Sequence, residues 1–359
     1  MPASLVHLQR MTDDTGMLEH ALGPIPRRSE GYTTDDNARA LWLVSALVGQ
    51  SSAYQSATET DLHRLATVYL SFIDWALAAD GSLHNNFSYD RRPEHENSSD
   101  DCLGRTLWGL AAACDHLDGS MQLAARLLFA KAASHIDQMN HLRGEAYGLA
   151  AASRQLDILK KMKEHTAEDA VLIHALPAAI YDFTHQLLAA FAENSRPGWY
   201  WFEPQMTYSN GILPWALYKA YQMTDNPEIL QAARDALNFL IEKMTTPQGW
   251  LRPIGNRGWC DSHSSAQWDQ QPVELLALAM ATSQGAAYDS SYSEIIEKCR
   301  AWFRGANDLQ TPLANPDDGS CCDGLQPSGV NRNCGAESTL AYLLTEAIGG
   351  RVATEPVQD

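Results

Sequence analysis

Six times along this chain a short polar or acidic stretch runs directly into an apolar helical pattern. The segments are "YTTDDNARALWLVSAL" from Tyr32, "SSDDCLGRTLWGLAAA" from Ser98, "RGEAYGLAAASRQL" from Arg143, "YSNGILPWALYKAY" from Tyr208, "AQWDQQPVELLALAMA" from Ala266 and "NCGAESTLAYLLTEA" from Asn333. With Asp36, Asp101, Glu145, Asn210, Asp269 and Glu337 as markers, the steps are roughly 45 to 70 residues, room for one helical hairpin each. Between them lie second helices with broader amphipathic patterns, such as "DLHRLATVYLSFIDWALAA" from Asp61 and "PEILQAARDALNFLIEKM" from Pro227. Gly-containing turns of one type follow: "DGSL" at Asp80, "PQGWL" at Pro247 and "DGS" at Asp318, with "TGML" at Thr15 after an N-terminal helix.

Strand-like alternation is scarce, so the expected class is all-α. Six hairpins closed in a ring make an (α/α)6 six-hairpin toroid, with the N-terminal helix as its twelfth member. An open solenoid would show a tighter repeat and polar capping repeats. No Pro/Gly linker splits the chain, and residues 1–359 are expected to form a single barrel domain.

The formal net charge of −18 argues against nucleic acid or an anionic membrane as partner, since both call for a basic surface. A neutral ligand remains open. The N-terminal "MPASLVHLQRMTDDTG" lacks a basic region followed by an apolar stretch, so no export signal is expected. No apolar run reaches bilayer-spanning length. Seven scattered cysteines make no disulfide framework and fit a reduced, cytoplasmic setting. Cys321, Cys322 and Cys334, or Cys260 with His263, match no zinc spacing, so neither metal nor cofactor is expected. A homo-oligomer is compatible with this composition.

In such a barrel one set of helix N-termini opens onto a common face, where unpaired N–H groups and the helix dipole favour carboxylates. That alone accounts for Asp13, Asp35 and Asp100 as capping or first-turn charges. It does not account for "WYWFEPQMTYSNGILPWAL" from Trp199, where four large aromatics precede one acid. The loops feeding this face hold Trp199, Tyr200, Trp201, Tyr208, Trp250, Trp259 and Trp268, with Asn86, Tyr89, Arg91, Gln270 and Asn333 among their polar residues. Aromatic faces stack on pyranose rings while amides, acids and arginines bind paired hydroxyls. The expected ligand is an oligosaccharide.

Cleaving a glycosidic bond takes two carboxyl groups, one a protonated acid and the other a base or nucleophile. Glu203, flanked by Trp201, Phe202 and Pro204, is the first choice for the acid, because an apolar setting raises a carboxyl pKa. The base is expected from another helix start, with Asp36 and Asp101 leading and Asp269 behind. Asp36 and Glu203, on the first and fourth inner helices, would face each other across the ring.

The stretches "GYTTDDNARALW", "NFSYDRRPEHENSSDDCLGRTLWGL", "WYWFEPQMTYSNGILPWAL", "QWDQQPVELLALA" and "DGLQPSGVNRNCGAESTLAYL" resemble a bacterial family of six-hairpin glycosidase-like proteins. Many of its members are described only as hypothetical or glycosyltransferase-associated proteins. The resemblance covers nearly the whole chain. It implies an (α/α)6 barrel, a link to mannoside or other β-linked oligosaccharides, and inversion at the anomeric carbon. The matching positions are Asp36, Asn37, Tyr89, Asp90, Arg91, Asp101, Glu203, Tyr208, Asn210, Asp269, Gln270, Asn333 and Glu337. Cys102, Cys322 and Cys334 depart from the pattern, standing where small or ordinary polar residues are expected.

The leading expectation is a glycoside hydrolase acting on short oligosaccharides, with Trp201, Tyr208, Asn210 and Trp268 shaping a subsite around Glu203. An epimerase or isomerase on the same barrel would use paired histidines, for which His84, His95 and His263 are the candidates. A phosphorylase would need a phosphate pocket, which Arg91, Arg92, Arg252, Arg257 and Arg332 could line. A non-catalytic sugar-binding module would keep the aromatics without the acids.

Overall fold

A computed structural model describes residues 3–49, 56–95 and 99–352. Ser98, where the second repeated segment begins, lies outside them. Among the described residues the α-helices in chain order are α1 (Val6–Met11), α2 (Thr34–Leu47), α3 (Glu59–Ala76), α4 (Asp100–His116), α5 (Gly119–Ala132), α6 (Leu142–Lys161), α7 (Ala167–Asn194), α8 (Ile212–Thr224), α9 (Pro227–Met244), α10 (Pro272–Gly285), α11 (Tyr292–Phe303) and α12 (Ala336–Val352). Strands of two or three residues lie between them: β1 (Ala21–Leu22), β2 (Ile25–Pro26), β3 (Tyr32–Thr33), β4 (Asn86–Phe87), β5 (Gln205–Met206), β6 (Cys260–Asp261), β7 (Gly324–Gln326) and β8 (Gly329–Asn331).

The chain divides into two compact units. The first comprises Ser4–Ala21 and Ile25–His185, and the second Met1–Ala3, Leu22–Pro24 and Gln186–Asp359. In the first unit α2, α4 and α6 pack side by side, with α3 against α2 and α5 against α4. In the second, α8, α10 and α12 form the same row, with α9 against α8 and α11 against α10. The six even-numbered helices are the six segments picked out by their polar starts.

Local sequence explains both sets of helices. Three of the odd helices, α3, α7 and α9, start on side-chain caps. Thr58 and Asp61 form a reciprocal capping box on α3, and Asn226 accepts the Glu228 N–H at 3.0 Å with Pro227 in the first turn of α9. The even helices are buried nearly all round. In α2 every residue from Asp36 to Leu47 is buried, and in α10 every residue from Pro272 to Thr282. Glycine lets these rows close. A Cβ on Gly109 would lie 2.4 Å from the Ala38 carbonyl oxygen of α2, one on Gly104 2.8 Å from the Gly144 carbonyl of α6, and one on Gly211 2.2 Å from the Ala277 carbonyl of α10.

The turns recur as well. Asp80 Oδ1 accepts from the N–H and hydroxyl of Ser82, and Asp318 Oδ1 does the same for Ser320. An antiparallel bridge closes each turn, Leu77 to Leu83 and Ala314 to Cys321, and again Thr12 to Met17 and Thr245 to Leu251. Gly81, Gly249 and Gly319 occupy the left-handed φ region there.

Because Gly211 meets backbone rather than a movable side chain, Gly211→Ala is expected to cost about 1–3 kcal/mol of stability. Urea unfolding followed by circular dichroism checks this, and an unchanged midpoint would refute the close-packing account.

Candidate active site

In the first unit, β3 pairs with β4 in the register Tyr32 to Phe87 and Thr33 to Asn86, which brings the starts of α2 and α4 together. The Thr34 N–H donates to the Asn85 carbonyl at 2.9 Å, and the Asp35 N–H to Asn85 Oδ1 at 3.1 Å. The Cys102 thiol donates to that same Oδ1 at 3.2 Å, which gives this departure from the family pattern a packing role. Asp35 takes Arg105 of α4 at 2.8 Å and Arg39 of its own helix at 3.6 Å. Asp36, 4% exposed, takes Arg39 at 2.5 Å and the Thr33 hydroxyl at 2.8 Å. Arg105 also reaches Asp101 at 3.3 Å. Burial pushes the Asp35 carboxyl up, but Arg39 and Arg105 overcome it and hold the group below the usual carboxylate range.

Asn37 is fully buried and knits Met17 to the helix. Its Oδ1 accepts from the Met17 N–H at 2.8 Å, and its amide donates to the Thr33 carbonyl at 2.8 Å. Asn86 sits half-buried in β4. Tyr89, 42% exposed, stacks on Tyr32 with Arg28 over its ring. The exposed Arg91 reaches Asp14 with one nitrogen 3.1 Å from both carboxylate oxygens.

Glu145, in the first turn of α6, is 2% exposed. Burial pushes its carboxyl up to about 7, the neighbouring Asp100 adds to this, and His141 opposes it. Asp100 itself accepts the Asn140 and His141 N–H groups ahead of α6, at 2.9 and 3.0 Å.

In the second unit the aromatic run before α8 divides. Trp199, Trp201 and Phe202 are buried to 1% or less, with Trp199 edge-on to Phe239 and Phe202 against Phe191. The Trp201 ring therefore shows no open face, because it fills the core beneath the loop. Tyr200 and Tyr208 stay exposed, at 44% and 38%. Glu203 is half-buried, and its carbonyl accepts the Trp199 indole N–H at 2.9 Å.

Asn210 is fully buried, and its partner is Glu274 in the first turn of α10. Glu274, 2% exposed, accepts the Ser209 N–H, the Asn210 N–H at 3.3 Å and the Asn210 side-chain amide at 2.9 Å. Trp268 is half-buried, and Asp269 pairs with Arg257 at 3.0 Å. Gln270, fully buried, donates to Asp308 at 2.7 Å and exchanges backbone hydrogen bonds with Leu325. Asp308 also takes Arg252 through two nitrogens, at 2.6 and 2.8 Å, and the Trp250 indole at 3.1 Å. Those hydrogen bonds hold its carboxyl below the usual range against the upward push of burial. Asn333 donates its side-chain amide to Asp323, and Glu337 lies half-buried in the first turn of α12.

Two of these carboxylates, Glu274 and Asp308, were not singled out in the sequence, and Glu145 stood there only as a repeat marker. Glu274 carried a signal, a first-turn acid right after a proline at the helix start. Glu145 looked like any first-turn charge, and Asp308 lies in a loop with no pattern at all. Among the described residues, no group of three or more His, Cys, Asp or Glu is placed to hold a metal ion, and no helix is long and apolar enough to cross a membrane. A groove of about 440 Å³ on the odd-helix side, lined by Leu70 and Asp74 of α3 and Met121 and Leu128 of α5, shares no residue with the candidate site.

No family model matches the chain, and no curated protein sequence matches it significantly. Solved structures do. A cellobiose 2-epimerase from Bacillus thermoamylovorans B4167 superposes with a TM-score of 0.71 at 10% identity, covering 96% of each chain. A D-mannose isomerase gives 0.67 at 10% identity over 98% of this chain and 95% of its own. A GH76A alpha-1,6-mannanase from Salegentibacter sp. HEL1_6 gives 0.60 at 13% identity over 97% and 96%. The fold is thus all-α, of the six-hairpin (α/α)6 class shared by sugar epimerases and glycoside hydrolases.

Glu274→Ala leaves the Ser209 and Asn210 donors buried without their acceptor, and a loss of about 3 kcal/mol in urea unfolding is expected. Glu145 gives a pH signature. Its folded pKa of about 7 lies above its ordinary 4.5, so the folded state holds the proton longer and stability falls as pH rises from 4.5 to 7. Glu145→Gln removes that dependence. Relative to the variant, the native protein is expected to lose about 3 kcal/mol across this window, and parallel pH profiles would refute it.

Proposed function

We propose that this chain is a glycoside hydrolase acting on short oligosaccharides by a two-carboxylate mechanism. The observation that carries the reading is the chemistry of the even-helix starts. Among the described residues, first turns hold Asp35 and Asp36 on α2, Asp100 and Asp101 on α4, Glu145 on α6, Glu274 on α10 and Glu337 on α12, and the starts hold a single histidine, His141 at the cap of α6, rather than a pair. A hydrolase needs carboxyl groups there, whereas the epimerase expectation rests on paired histidines.

In this reading Glu203 is the general acid. It stands half-exposed between buried Trp201 and Phe202 and the exposed Tyr208. Asp101 is the base. Its side chain is 13% exposed and sits at 3.3 Å from Arg105, whereas Asp36 is clasped by Arg39 and Thr33. Arg105 bridges Asp35 and Asp101 and fixes the direction of the Asp101 carboxylate. Tyr200 and Tyr208 supply exposed aromatic rings for sugars, Tyr89 an exposed edge, and Asn333 and Glu337 are the proposed contacts for hydroxyls. Inversion and a mannoside or glucoside substrate follow from the family resemblance, and the mannanase among the solved structures is in keeping with it. A sugar epimerase is the second reading, favoured by the similarity to the cellobiose 2-epimerase and the D-mannose isomerase.

Incubating the protein with a panel of α- and β-linked oligosaccharides, with anomeric protons followed by NMR, separates the readings. Cleavage is expected, and Glu203→Gln should lower kcat at least about a hundredfold. The first anomer formed reports inversion or retention. A reducing sugar converted with no bond cleaved would replace the hydrolase by the epimerase. Binding without turnover on every sugar would leave a non-catalytic module.

A further inference from the structure

Cys322 and Cys334 stand at the two feet of the β7–β8 hairpin. The N–H of Asp323, next to Cys322, donates to the carbonyl of Asn333, next to Cys334, at 2.8 Å. The Asp323 carboxylate accepts from the Asn333 side chain and, at 3.2 Å, from the Gly335 N–H. These ties bring Cys322 and Cys334 to neighbouring positions at the base of the hairpin, where the Cys334 thiol donates to the Arg332 carbonyl at 3.8 Å. No disulfide joins the cysteines among the described residues, and Cys322 is half-buried whereas Cys334 is 6% exposed and the other five are buried.

We propose that Cys322 and Cys334 form a thiol–disulfide modification site, in which Cys322 reacts with low-molecular-weight disulfides and Cys334 resolves the adduct. The Cys322 thiolate attacks one sulfur of the small disulfide. That S–S bond breaks, one thiol leaves, and a mixed disulfide stands on Cys322. The Cys334 sulfur, its proton passed to solvent or to the departing thiolate, then attacks the Cys322 sulfur and expels the second thiol. The two protein thiols are oxidised, the small disulfide is reduced to two thiols, and a Cys322–Cys334 bond remains.

The surroundings divide these roles. Cys322 is half-buried and Cys334 buried, so Cys322 is the sulfur a small disulfide reaches first. Its thiol also lies below the ordinary cysteine range, lowered by the Cys334 side chain and Arg332 against burial and Asp323, whereas the neighbouring Cys322 and burial push Cys334 up. Burial also raises Cys114, Cys260, Cys299 and Cys321. The new bond would clamp the hairpin whose Leu325 holds Gln270 and whose end leads through Asn333 into α12. The site stands independently of the sugar-processing reading.

The test incubates the intact protein with oxidised glutathione at neutral pH, quenches with acid, alkylates the remaining thiols and maps peptides by mass spectrometry. The expected product is a Cys322–Cys334 cross-linked peptide lacking two hydrogens. In Cys334→Ser the reaction should stop at a glutathione adduct on Cys322, and Cys322→Ser should leave Cys334 unmodified. In the native protein Cys322 should also alkylate at least about tenfold faster than any other cysteine. A persistent glutathione adduct without cross-link, a first adduct elsewhere, or no reaction at Cys322 would overturn the proposal. The native-protein rates decide the matter if a variant fails to fold.

Discussion

Buried helix starts need acceptors. The even helices of each unit are packed on nearly every side, so their leading N–H groups cannot turn to water, and an unpaired amide in the interior is costly. The chain solves this by letting a neighbouring helix start or loop supply the acceptor. Asp100 of α4 receives the N–H groups ahead of α6, Glu274 of α10 receives those ahead of α8, and Asp323 receives the Gly335 N–H ahead of α12. Between α2 and α4 the tie is ionic, through Asp35 and Arg105. The glycines that bring the rows into contact make these cross-links short.

This architecture sorts the acids. A carboxylate that already receives two or three donors is poorly suited to moving a proton, because each donor stabilises its charge in place. Asp13, Asp35, Asp36, Asp100, Glu274 and Asp308 belong to that group. Glu145 lies at the other extreme, buried with its carboxyl raised by desolvation and Asp100. Proteins with this fold carry out both hydrolysis and epimerisation of sugars, as the solved structures show by their names, so fold leaves the reaction undecided. The groups at the helix starts carry that decision.

The sequence by itself determined the repeat. Alternation between polar starts and apolar helices marked all six even helices, and the Asp-Gly-Ser turns at Asp80 and Asp318 appear as read. These features are local: helix period, capping and turn chemistry act over a few residues. Of the acids read as capping or first-turn charges, Asp35 and Asp100 do stand in the first turns of α2 and α4, whereas Asp13 accepts the Thr15 and Gly16 N–H groups in the turn after α1. What tertiary structure decided is which way each side chain faces. Trp201 and Tyr208 look equally suited to a sugar in the sequence, yet Trp201 is sealed in the core and Tyr208 is open. Asn210 and Glu274 are 64 residues apart and Gln270 and Asp308 are 38 apart, contacts that the chain order does not announce. Burial and long-range partners depend on how helices pack, and no window of local sequence contains that information.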